Sequence, residues 1–151
     1  YTLRKHRVVY GGGGIMPDYF VPLDTTRYTN YHRQLVAKGA VIKATLDYVD
    51  QYRAEMLKTY KKFADYERSF TIPESLSRQL IDDGNESGAT YNETEYQKSK
   101  PLIDLQLKAL IARDLWGMNE YYQVINQSDP VVLKALELLA APDFESLLRK
   151  K

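Results

Sequence analysis

The stretch LIDLQLKALIARDLW, Leu102 to Trp116, constrains this chain more than any other. Set on a helix at about 100° per residue, its apolar residues form two stripes rather than one. Leu105, Ala109, Ala112 and Trp116 fall on one side, and Ile103, Leu107, Leu110 and Ile111 on the other. Asp104 and Lys108 separate the stripes along one edge, Gln106 and Arg113 along the other. A helix apolar on two sides has to be covered on two sides, which places it at the centre of a helical bundle. Pro101 lacks an amide proton, so the helix either kinks there or begins near Ser99. Upstream, Asn92 and Glu95 have the spacing of a capping box.

The other helices follow from period and punctuation. Asp24, Thr25 and Thr26 are helix-start residues for a segment from about Tyr28 to Lys38. Its stripe is Tyr28, Tyr31, Leu35 and Val36, and Gly39 is its left-handed stop. A longer helix starts near Ala40 and turns Ile42, Leu46, Val49, Met56, Tyr60 and Phe63 inward. It breaks near Lys58, leaving Phe63, Tyr66 and Phe70 on a separate short piece. Pro73 suits the first position of the next helix, which carries Leu76, Leu80 and Ile81 and gives out at Asp82, Asp83 and Gly84. After the central helix, Gly117 is a stop, and Asn119 to Gln127 is short and presents Tyr121, Tyr122 and Ile125. Asp129 and Pro130 open a helix of Val132, Leu133, Leu136, Leu139 and Ala140. From Pro142 a last turn or two points Phe144, Leu147 and Leu148 inward, with Arg149, Lys150 and Lys151 complementing the helix dipole.

The N-terminal part has a different texture. Tyr1 to Tyr10 alternates weakly and is charged at Arg4, Lys5, His6 and Arg7. Then comes VVYGGGGIMPDYFVP, Val8 to Pro22: a β-branched run, four glycines from Gly11 to Gly14, and a second extended run from Tyr19 to Val21. Two strands are too few to bury a face in water. The expected fold is therefore mainly α, a helical bundle of five to seven helices preceded by a short remnant β-hairpin. The boundary falls between residues 1–22 and 23–151. Tyr1 opens in mid-strand without an initiator Met, as expected of a fragment.

Composition and motifs exclude most chemistry. Of 151 residues, 44% are apolar and 27% charged, with a net charge of +1, which gives no general attraction to nucleic acid. There is no cysteine, so no disulfide and no thiolate metal site. The glycine run is no phosphate loop, because no Gly-Lys follows it. It is no dinucleotide fingerprint either, since Met16 stands where the third glycine belongs. Asp83, Asn85, Ser87 and Gly88 match the first half of a calcium loop, but the position of the bidentate Glu is Thr94. His6 and His32 lack carboxylates at ligand spacing and read as surface residues. Ser99 and Lys100 are adjacent and read as the start of a helix, not as a nucleophile and its base. No catalytic, cofactor-binding or metal residue is assigned.

VVYGGGGIMPD resembles the closing segment of the peptidase core in the bacterial tail-specific, or C-terminal processing, serine peptidases. FVPLDTT resembles the lead into a helical C-terminal region that some members carry. The similarity is specific from Arg7 to Thr26, moderate over LKALIARDLWG, and loose between. It implies an envelope, periplasmic parent enzyme whose serine nucleophile and lysine base lie upstream of Tyr1. Residues 1–22 would then be terminal strands of that core, and residues 23–151 a non-catalytic helical domain. The implied partners are the peptidase core, its protein or peptide substrates, and a second copy in a homo-oligomer, with no nucleic acid and no cofactor. Asp24, Thr25 and Thr26 also resemble an O-glycosylation acceptor of some bacterial envelopes. The alternative is an independent interaction module that holds an extended peptide with its thirteen tyrosines.

Overall fold

A computed structural model describes residues 1, 3, 6, 19–22, 24 and 26–142. Among them are seven α-helices and no strand. Contacts gather the chain into two units. One is Asp24–Asp129; the other combines Tyr1–Leu23 with Pro130–Lys151.

The larger unit holds six helices: α1 (Asn30–Ala37), α2 (Ala40–Thr59), α3 (Phe63–Ser69), α4 (Glu74–Glu86), α5 (Glu93–Leu115) and α6 (Met118–Ile125). A 3-10 turn at Asn126–Ser128 follows α6. The two-striped helix is α5, and it is central as its pattern requires. It packs against α6 on one side and against α1 and α2 on others. Ile103, Leu107, Ala109, Leu110, Ile111 and Ala112 are all buried, while Leu105 and Trp116 are half-buried. Asn92 caps it by accepting from the Glu95 amide at 3.0 Å. The helix then runs unbroken past Pro101, which is exposed, so it starts well before Ser99.

The break after Lys58 is present, since α2 ends at Thr59 and α3 holds Phe63 and Tyr66. Tyr66 is fully buried at the middle of an aromatic cluster. Its ring stacks on Phe70 with centroids 4.7 Å apart and meets Trp116 at 5.0 Å. Gly39 has φ +76 between α1 and α2, the left-handed conformation expected of it.

Four details depart from the sequence reading. First, α1 begins at Asn30, with Thr29 as its cap. Asp24 instead closes a local turn, accepting from the Thr26 amide at 2.9 Å and its hydroxyl at 2.7 Å. Second, the buried face of α2 is rotated. Val41, Ala44, Thr45, Val49 and Met56 are buried, whereas Ile42 and Leu46 are 49% and 44% exposed. Small residues at Ala40, Ala44 and Thr45 let α2 approach its neighbours, and Tyr48 and Tyr52 extend the same face. Third, α4 does not stop at Gly84 but at Glu86, and the left-handed residue is Gly88 at φ +83. Gly84 is inside the helix because α1 lies against it: a Cβ there would stand 2.6 Å from Leu35 Cδ2. Fourth, Pro73 precedes α4 as its cap residue instead of occupying its first position.

The smaller unit contains α7 (Pro130–Ala140), which begins at the proline as expected. The remnant hairpin lies mostly outside the described residues, including its glycine turn. Tyr19 to Val21, its second run, carry no strand pairing. The terminal turn with Phe144, Leu147 and Leu148 is outside the described residues too.

Candidate functional site

A polar constellation joins α1 to α5. The N-terminus of α1 leaves backbone amides without intrahelical partners, and α5 supplies acceptors for them. Glu95 Oε2 accepts from the Tyr31 amide at 2.5 Å. Its carboxylate is thus turned to another helix, so only the Asn92 half of the expected capping box forms. Ser99 Oγ donates to the Arg27 carbonyl at 2.7 Å and accepts from the Thr29 amide at 3.1 Å. The Thr29 hydroxyl lies 2.7 Å from Ser99 Oγ and 3.2 Å from the Glu95 carbonyl. Ser99 is fully buried and its hydroxyl is committed to these backbone groups. Lys100 points to Asp104 at 2.5 Å, so the adjacent Ser99 and Lys100 are not a nucleophile and its base.

His32 belongs to this region and is buried, contrary to the surface position read from sequence. Its Nε2 is 2.9 Å from Gln106 Oε1 on α5, and its ring meets Tyr28 edge-on at 4.3 Å. The signal was present: Tyr28, His32 and Val36 step by fours along one ridge. Burial lowers the His32 pKa, partly offset by the Gln106 hydrogen bond. His6 is exposed, with φ +46.

The half-matched calcium loop takes another form. Asp83 lies within α4, nearly buried, and pairs with Lys43 of α2. Lys43 also reaches Asp47 at 3.1 Å, and these two carboxylates raise its pKa, Asp83 most. A lysine ammonium therefore occupies the carboxylate that a cation would use. Among the described residues, no group of three or more His, Asp or Glu side chains is placed to hold a metal.

The described tyrosines divide between the core, its border and the surface: Tyr48, Tyr52, Tyr60, Tyr91 and Tyr121 are half-buried against the core, and Tyr1, Tyr19 and Tyr122 are exposed. Tyr31, Tyr66 and Tyr96 are buried. Tyr31 meets Tyr91 at 5.7 Å and Tyr96 at 6.3 Å, and burial pushes its hydroxyl up to about 12.

In the smaller unit, an open cleft of about 370 Å³ lies between Tyr19–Pro22 and α7. Phe20, Val21, Pro130 and Leu133 give it apolar walls, with Lys134 and Glu137 at the same helix. Lys134 Nζ sits 5.1 Å from the Tyr19 ring centroid, a cation–π contact. Among the described residues, no helix is long and apolar enough to cross a membrane.

Residues 31–117, more than half of the chain, match a family described as a family of unknown function (DUF8443). No curated protein matches, and no solved structure matches.

Proposed function

The chain belongs to that family, and we propose that it is the non-catalytic C-terminal helical domain of a bacterial envelope serine peptidase that trims protein C-termini. The observation that carries the reading is the segment VVYGGGGIMPDYFVPLDTT, which resembles the end of the peptidase core and its exit into a helical region. The organisation of the larger unit supports a scaffold rather than a reaction centre. Several of its polar side chains join helices: Glu95 and Ser99 bind α1, and Lys43 binds Asp83. The hydroxyls of Ser69 and Ser87 donate to the Asp65 and Gly84 carbonyls. The burial of Tyr31, Tyr66 and Tyr96 weighs against the alternative of a tyrosine-lined peptide groove.

The test uses the full-length gene product, the isolated chain, and a serine-reactive fluorophosphonate. The full-length protein should label and shorten an unfolded protein from its C-terminus. The isolated chain should do neither. Specific labelling of a serine within these residues, or a full-length product without any reactive serine, would overturn the reading.

A further inference from the structure

We propose that α7 is the surface by which this domain docks on the peptidase core, an inference that rests on the functional reading above. Every buried hydrophobic residue among the described ones lies between Tyr31 and Val124, in the larger unit. The helix α7 contributes none, although its only charged residues are Lys134 and Glu137. Leu133, Leu136 and Leu139 step by threes along one stripe and are 48%, 59% and 62% exposed. An eleven-residue helix is marginal in water by itself, and one so apolar is stable only when covered.

The occupant follows from what shares a unit with this helix. The contacts group α7 with the N-terminal 23 residues. Those residues include most of the stretch that resembles the closing segment of the core. Lys134 holds the Tyr19 ring, and Leu133 lines the cleft with Phe20 and Val21. If Tyr19 to Val21 lead out of the peptidase sheet, α7 is carried to the core with them. Its charged pair lies along the cleft, leaving Leu136 and Leu139 as the apolar face offered to the core.

The chain has no native cysteine, so Leu136→Cys and Leu139→Cys report on this face directly. Each variant is treated with a maleimide, in the isolated chain and in the full-length protein, and the rate is read from the mass of the labelled peptide. Glu55→Cys, on the exposed face of α2, is the control. The expected result is at least tenfold slower labelling at 136 and 139 in the full-length protein, with Glu55→Cys unchanged. Equal rates at 136 and 139 in both proteins would overturn the proposal. So would labelling of the isolated chain that slows with its concentration, since a second copy would then be the occupant. A full-length product with no reactive serine would remove the functional reading instead, whatever the rates.

Discussion

The backbone carbonyl of Lys108 accepts the buried Tyr66 hydroxyl at 2.8 Å, while the Lys108 ammonium closes the helix that carries Tyr66. That ammonium donates to the Glu67 and Phe70 carbonyls at 2.7 and 2.8 Å and lies 5.7 Å from the Tyr66 ring centroid. A short helix, α3, is thus tied at its aromatic centre and at its C-terminal end to one residue of α5. Cations are favoured at a helix C-terminus, and the charge-assisted bonds are the stronger kind.

Lys108→Met should therefore cost about 1.5–3 kcal/mol, the range for hydrogen bonds made by a charged group. Tyr66→Phe should cost about 1 kcal/mol. Because both residues hold the same helix, the double variant should lose less than the sum. Lys108→Asp, an edge substitution by sequence pattern alone, should be nearly as damaging as Leu110→Asp in the core. Urea unfolding of the five variants measures all of this, and a Lys108→Asp midpoint close to wild type would refute the tie.

The joint between α1 and α5 makes a second prediction. Glu95→Ala removes the acceptor for the Tyr31 amide and should cost about 1–2 kcal/mol, as loss of a helix cap does. Ser99→Ala leaves the Thr29 amide and the Arg27 carbonyl without that partner in a half-buried place, about 1 kcal/mol. Amide exchange should accelerate in α1 for both variants, and an unchanged exchange pattern there would count against the joint.

Gly84→Ala sets two effects against each other. Alanine is favoured over glycine in a helix by about 1 kcal/mol. Here, however, the new Cβ would sit 2.6 Å from Leu35 Cδ2, and Leu35 is fully buried, so it has little room to yield. Overpacking typically costs about 1–3 kcal/mol. The variant should lose stability despite its better helix propensity, and Leu35→Ala should restore tolerance to it. A higher melting temperature for Gly84→Ala alone would show that α1 gives way freely.

His32 predicts the response to acid. Burial lowers its pKa in the folded chain below the ordinary value of about 6.5. Below that pH the unfolded chain takes up a proton that the folded chain resists. Stability from this group is thus complete above about pH 6.5, falls as the pH drops through it, and levels off below the folded pKa. The melting temperature should decline between pH 7.5 and 5.5, and His32→Gln should start lower but decline less. Parallel curves for the two proteins would mean that other groups carry the acid response.

Much of this architecture is legible in the residue pattern because it depends on near neighbours. The two stripes of α5 announce a helix covered twice. Gly39 and Pro130 place ends through backbone conformations that few other residues adopt, and the break near Lys58 follows from the separate spacing of Phe63, Tyr66 and Phe70. The rotation of α2 was not legible, because Ile42 and Val41 are equally apolar. Which one turns inward depends on how closely Ala40, Ala44 and Thr45 allow other helices to approach.

The sequence by itself determined that this chain builds helices, roughly where they start and stop, and that α5 lies at their centre, since those follow from local sterics and from period. Tertiary structure alone decided the partners of the polar side chains that join one helix to another. Glu95 turns to Tyr31 instead of its own cap, Lys43 takes Asp83, His32 goes inside against Gln106, and Lys108 closes a helix some forty residues away. The physical reason is that a charged or polar group withdrawn from water must find a partner, and for these four the partner lies on another helix, beyond the reach of a local pattern.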